Sequence, residues 1–216
     1  MPDPAKPQAV HDPRVLRAIA HPVRNRILDE LGAVGPMRAA DVARTLGIPA
    51  NQASFHLRQL AKYGLAVEAP EEARDGRDRV WKASHESGLN IDTAELAKAP
   101  GGRAAVSVFR RQWSNAAHDA VRRVETAERD PRTLVMVSDC ALRLTKAEAQ
   151  QLSDELTELV DSWRRRGRSA GTKSGPKGDP KVGTEARTYQ VLQILQPAPE
   201  AAGPADPEVP TAAPGR

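Results

Sequence analysis

RAADVARTLGIPANQASFHLRQLAKY, residues 38–63, is the stretch on which the reading of this chain turns. Ala39, Val42, Ala43 and Leu46 recur at three- and four-residue steps and so share one face of a helix. Gly47-Ile48-Pro49 is a short turn, and a second helix is expected from Ala50 to Tyr63. In that second helix Ala53, Leu57 and Leu60 fall at steps of four and three and point inward. Asn51, Gln52, Ser54, Phe55, Arg58, Gln59 and Lys62 are then left on the outer face. Asn and Gln can pair bidentately with adenine, Arg with guanine, and Phe can touch a thymine methyl. His56 fits either a DNA contact or support of the helix packing. Residues 50–63 contain no acid, and an acidic outer face would be repelled by phosphate. Double-stranded DNA is the expected partner.

Upstream, Asp12-Pro13 supplies a helix cap followed by proline at the first helical position. Leu16, Ile19, Ala20, Val23, Ile27, Leu28 and Leu31 continue the helical pattern until Gly32, with a break at His21-Pro22, which gives two helices. Downstream of Gly64, Leu65 to Glu68 and Arg79 to Ala83 read as two strands joined by a charged loop holding Asp75-Gly76. This hairpin is a wing, and Arg74 and Arg77 are its candidate DNA contacts. Helices, a tight turn, a helix and a hairpin in this order form the arrangement that sets one helix into a major groove.

His21-Pro22-Val23-Arg24-Asn25-Arg26-Ile27-Leu28 resembles the helix-opening stretch of winged helix-turn-helix regulators of the ArsR type, the arsenic-repressor family. Ala40 to Ile48 is similar to that family's first helix and turn, and Ser54 to Ala66 to its recognition helix running into the wing. The likeness covers about residues 12–83. It implies a homodimeric regulator of transcription. The rest of the chain resembles the helical and α/β extensions of some actinobacterial members. Metal-sensing members place a Cys-x-Cys pair in the first of these helices, whereas Arg38 to Gly47 holds neither Cys nor His, so no metal is expected there. Pro49 stands where many relatives have a Ser or Thr cap. In the wing, Glu71, Glu72, Asp75 and Asp78 outnumber Arg74 and Arg77. That acidity leaves an alternative open, a winged-helix protein-interaction module that has lost DNA binding.

Residues 103–129 form a further helical pattern, with Val106, Phe109, Trp113, Ala116, Ala120 and Val124 along one stripe. Such a stripe needs a cover, from core or from a second subunit, and with Leu16 it is the expected homodimer seam. Leu134 to Leu144 reads as a strand, and Thr145-Lys146-Ala147-Glu148 as a helix capping box followed by an apolar face of Leu152, Leu156, Leu159, Val160 and Trp163. From Arg164 to Gly183 the chain holds seven Lys or Arg and five glycines. The expected organisation is a disordered arm at 1–11, a winged helix-turn-helix domain at 12–84 and a helical dimerisation region opening an α/β extension at 85–167. A basic flexible linker at 168–183, a returning strand at 184–196 and a disordered Pro/Ala tail at 197–216 complete it. The fold class is mainly α with a small β component.

The chain has 216 residues and a formal charge of +4, a balance that suits a polyanion but also plain solubility. Cys140 is the single cysteine, which excludes an internal disulfide framework. His11, His21, His85, His118 and Cys140 show no metal-ligand spacing, so neither metal nor cofactor is expected. No nucleophile elbow, phosphate-binding glycine loop or zinc-hydrolase histidine pair occurs, and no enzymatic activity is expected. Without an apolar leader in Met1 to Val10 or a long apolar run, the protein reads as cytoplasmic with no membrane partner. A small-molecule or protein effector is left open.

Overall fold

A computed structural model of the chain describes residues 8–73, 79–85, 88–126, 130, 133–171 and 186–198. A short strand, β1 (Gln8–Ala9), precedes the first helix, α1 (Pro13–Ile19). The Asp12 carboxylate accepts from the Arg14 amide at 2.8 Å, the cap expected from Asp12-Pro13. The break at His21-Pro22 is real, and α2 runs from Pro22 to Val34. It passes through Gly32, where the sequence pattern stops. Gly35, with φ +96°, ends it instead, a backbone conformation that glycine adopts freely.

The short strand β2 (Met37–Arg38) leads into α3 (Ala39–Leu46), and Gly47 in the left-handed region turns the chain into α4 (Ala50–Lys62). The wing is β3 (Ala66–Glu68), a 3-10 turn at Pro70–Glu72, and β4 (Val80–Ala83). β3 and β4 pair antiparallel, with Glu68 opposite Trp81. β2 adds a third strand on the far side of β4, Met37 opposite Trp81, which gives the order β2-β4-β3. The tip, residues 74–78 with Arg74, Arg77 and Asp75-Gly76, lies outside the described residues.

Beyond the wing come β5 (Leu89–Asn90), α5 (Thr93–Lys98), α6 (Gly102–Thr126) and α7 (Lys146–Gly171). α5 starts on the Asp92 carboxylate, which accepts from the Ala94 and Glu95 amides at 2.9 and 3.0 Å. β1 pairs in parallel with β5, and the Val10 amide donates to the Asn90 carbonyl at 2.9 Å with Val10 buried. Residues 8–10, expected in a disordered arm, are therefore tied to the domain; residues 1–7 lie outside the described ones.

One core joins these elements. Leu16, Ile27, Leu31, Val42, Leu57, Leu60 and Leu96 are fully buried, with Trp81 behind them and Ala105 and Val106 of α6 closing one end. Leu16 and Val106, expected at a seam between subunits, are thus consumed inside the chain, because α1 packs along the opening turns of α6. The molecule is mainly helical with a small antiparallel sheet after the helix-turn-helix, a winged helix.

α7 opens on the expected capping box. The Thr145 amide donates to Glu148 Oε2 at 2.7 Å, and the Glu148 amide donates to Thr145 Oγ1 at 3.2 Å. The helix then runs through Arg168 to Gly171 instead of dissolving into a flexible linker from 168, since its last turns dock on α2 and Arg168 donates to the Gly32 carbonyl at 3.1 Å. Residues 172–183 of that expected linker, and 199–216 of the expected tail, lie outside the described residues. Residues 134–144 and 186–198, expected to include two strands, form neither helix nor ladder among the described residues.

Gly101 has φ +71°, and a methyl on Gly102 would collide with the Leu96 carbonyl across the α5–α6 corner. A backbone carbonyl cannot rotate away as a side chain can. Gly102→Ala is expected to lower stability by about 1–3 kcal/mol, the usual cost of overpacking, read as a lower urea midpoint at unchanged slope.

Candidate nucleic-acid interface

α4 has 13 residues, roughly 20 Å of helix at 1.5 Å per residue. Ala53, Leu57 and Leu60 are fully buried and fix its rotation about its axis. Asn51, Phe55, Arg58 and Lys62, spaced by four, three and four, line the opposite side and are exposed, with Gln52 beside them. Ser54 and Gln59 flank this row and are half-buried. Seven of the eight candidate contacts on this helix therefore reach solvent in one contiguous strip.

His56 is the exception. It lies three residues after Ala53 and four before Leu60, which places it on the inward face, and it is buried. Its ring stacks obliquely on His21 of the α2 cap at 4.8 Å and meets Phe55 edge-on at 5.3 Å. Of the two roles open to it in the sequence, the structure gives it packing. The Nδ1 atoms of both histidines are buried without a hydrogen-bond partner. Burial, reinforced by Arg24 and, for His56, by His21, pushes both imidazoles below their ordinary 6.5 and keeps them neutral.

Arg24 explains the rest of the His21-Pro22-Val23-Arg24 stretch. Its Nε donates to the Ala18 carbonyl at 2.6 Å and its Nη2 to the Arg17 carbonyl at 3.2 Å, closing the C-terminal end of α1. The stretch holds α1, α2 and α4 together from beneath the exposed strip. Sequence reading missed this, because the acceptors are backbone carbonyls six and seven residues back.

Charge around the strip is arranged for an anion. Pro49 gives α4 no side-chain cap, its first turn has no acid, and only Asn51 Oδ1 accepts there, from the Gln52 amide at 2.9 Å. The positive end of the helix dipole is left open to a phosphate. In α3 Asp41 is bracketed by Arg38 and Arg44; the hydrogen bond from Arg38 does most to hold its carboxyl below the usual range. At the wing base Lys82 meets Glu71 at 2.6 Å and Arg79 meets Glu68 at 3.6 Å. The acidity of the wing is thus partly neutralised by its own strands.

Further along, Trp113 and Val124 are exposed on α6 while Phe109 and Ala120 are half-buried. An open apolar crevice of about 420 Å³ lies between α6 and residues 192–194, lined by Ala117, Val121, Leu192 and Ile194 among others. Among the described residues no group of three or more His, Cys, Asp or Glu is placed to hold a metal, and no helix is long and apolar enough to cross a membrane.

Residues 19–68 match a protein family described as a helix-turn-helix domain. The matched stretch runs from the end of α1 through α4 into β3, and it contains the whole exposed strip. The chain carries a DNA-binding domain of the kind used in transcription regulation, with a wing appended, and that type of domain is not typically catalytic. No curated protein and no solved structure matches the chain.

Buried His56 and half-buried His21 give the helix-turn-helix domain a pH signature. With folded-state pKa values below the unfolded 6.5, stability is full above 6.5 and falls as pH drops through that value, because the unfolded chain takes up the protons first. Melting temperature is expected to fall between about pH 7.5 and about pH 5.5, where histidine is the side chain that titrates, and less steeply in a His56→Gln variant. A parallel decline in both proteins would contradict the burial argument.

Proposed function

We propose that this chain is a cytoplasmic, sequence-specific transcriptional regulator that reads double-stranded DNA with the outward face of α4 and works as a homodimer. The observation that carries the reading is the acid-free exposed strip of Asn51, Gln52, Phe55, Arg58 and Lys62, backed by fully buried Ala53, Leu57 and Leu60. Ser54 and Gln59 border it within reach of a groove wall. Arg58, near the middle, suits guanine; Asn51, Gln52 and Gln59 suit adenine; Lys62 and the uncapped start of the helix suit phosphate. Arg74 and Arg77 at the wing tip are proposed as backbone contacts on position alone.

The likeness of the His21 to Leu28, Ala40 to Ile48 and Ser54 to Ala66 stretches to the ArsR type supports placing the chain in that group, with 12–84 as the DNA-binding domain. The absence of Cys and His from α3 supports a regulator that does not sense metal there. The proposed dimer uses the part of α6 that the core leaves open, Trp113, Ala120 and Val124, with Phe109 at its margin. Leu16 and Val106 contribute indirectly by fixing α1 to α6. Two recognition helices about 34 Å apart would read two half-sites, which one helix alone cannot specify. A small apolar effector would find a seat in the crevice between α6 and residues 192–194. The reading as a protein-interaction module rests on the acidic wing, Glu71, Glu72, Asp75 and Asp78, and the pairing of Glu71 with Lys82 removes one of those four charges from its support.

Arg58→Ala is expected to weaken binding to genomic fragments selected by the purified protein by about 1–3 kcal/mol, measured by fluorescence anisotropy. Affinity of the parent protein for DNA should also fall steeply with salt; binding indifferent to salt would favour the protein-interaction reading. Trp113→Glu should shift the species seen by light scattering from dimer towards monomer and weaken operator binding with it, since a buried charge in the seam is costly.

A further inference from the structure

Of the twenty exposed large hydrophobic side chains among the described residues, seventeen lie at Val108 or beyond, so the helix-turn-helix domain covers its own core and the C-terminal half does not. The densest group is Leu134 (72% exposed), Val135, Met136 (78%) and Val137 (73%), directly ahead of Ser138-Asp139-Cys140-Ala141-Leu142-Arg143-Leu144. An apolar run of this kind is what a strand covered on both faces requires. Yet among the described residues no backbone-to-backbone hydrogen bond reaches 134–144; the Leu134 amide donates only to the Tyr189 hydroxyl, at 3.3 Å.

Two contacts show how the second run, 186–198, lies. Leu134 meets Tyr189, and Asp130 meets Arg187 at 3.6 Å, so the two runs begin side by side and α7 connects them. That is the layout of parallel neighbours joined by a helical crossover. It leaves the other edge of 134–144 open. On that edge the charges are self-complementary. Asp139 and Arg143 share one face of a strand, being four residues apart, and neither makes an ion pair with any described residue.

We infer that residues 138–144 pair antiparallel with the same residues of a second copy about a twofold axis at Ala141, setting each Asp139 opposite the partner's Arg143. The inference rests on the homodimer reading and adds its register. The alternative full-length register, centred on residue 139, sets Asp139 against its own copy and is disfavoured by repulsion. Centred on Ala141, the pair opposes Cys140 with the partner's Leu142 and Ser138 with the partner's Leu144, and it stops where the capping box starts α7. Leu134 to Val137 then lie beside the chain's own 186–195 run, giving a four-stranded sheet, two strands from each copy. Eleven of the exposed large apolar residues lie in these two runs, and the self-complementary Asp139 and Arg143 pair makes a second copy the occupant that suits the open edge.

A charge-swap experiment on the full chain tests the register. Asp139→Arg alone leaves arginine opposite arginine, and Arg143→Asp alone leaves aspartate opposite aspartate. Each homodimer is expected to weaken on the order of tenfold by sedimentation, while an equimolar mixture of the two variants recovers dimer as the heterodimer. Independently, a nitroxide on native Cys140 of the unaltered sequence should report one narrow inter-copy distance on the order of 10–20 Å, since neighbouring strands lie about 4.8 Å apart. A dimer with a broad or long Cys140 distance and no response to the reversals overturns the register and leaves the homodimer standing. A parent protein that is monomeric overturns both.

Discussion

Ala53, His56, Leu57 and Leu60 form the buried edge of α4, and every useful property of its other edge depends on them. A helix that reads base edges must be held against rotation about its own axis, because a turn of one residue replaces one set of side chains by another. Two fully buried leucines, each contributing about 1.5–3 kcal/mol by burial, fix that rotation against α2, α3 and β3. The strip of Asn51, Phe55, Arg58 and Lys62 is then set by geometry alone. His56 adds contacts with His21 and Phe55, provided it stays neutral, so the support beneath the strip is tied to protonation in a way an all-aliphatic seam would not be.

Arg24 performs a related task one layer deeper. Its two hydrogen bonds to the carbonyls of Ala18 and Arg17 close α1, and His21, adjacent to α1, touches α4. A cation spent on backbone carbonyls is not free for DNA. A basic residue in a helix-turn-helix stretch is therefore not a DNA contact by default, and the acceptors within reach decide the matter. Arg38 and Arg44, turned towards Asp41, make the same point in α3.

The helix-turn-helix was legible because apolar residues repeat at three- and four-residue steps against one core, the wing because two short runs flank a charged loop, and Gly47 and the Thr145–Glu148 box carry local signals that tertiary packing did not override. The less legible parts share a cause. β2 and β5 are two residues long and α5 six, too short for any period to show; β2 and β5 exist because β4 and β1 offer partners distant in sequence, and α5 because α6 folds back on it. The stripe on α6 was read correctly as apolar, but no pattern in the helix itself says that Val106 is buried with Leu16 in one core whereas Trp113 is left exposed. The flexible linker expected from 168 instead begins as the last turn of α7, because the Gly32 carbonyl lies within reach of Arg168. In the site, the exposed strip was foreseen, and the roles of His21 and Arg24 beneath it were not.

The placement of Leu16 and Val106 in the core bears on how a dimer could act on DNA. If α1 and α6 met only across subunits, a change in association would leave each reading helix where it was. Here α4 packs on α2, α2 on α1 and α1 along the first turns of α6, a continuous series of buried contacts from the DNA-reading face to the helix proposed to carry the second subunit. The Gly101-Gly102 corner keeps that joint tight by letting the backbone of α6 approach the Leu96 carbonyl. In the proposed dimer the separation of the two reading helices is then set by the angle at which two α6 helices cross. Anything lodged in the crevice beside α6 would act on that angle without approaching the DNA, and the effect would be carried by packed side chains because close-packed interiors shift as units and do not deform continuously.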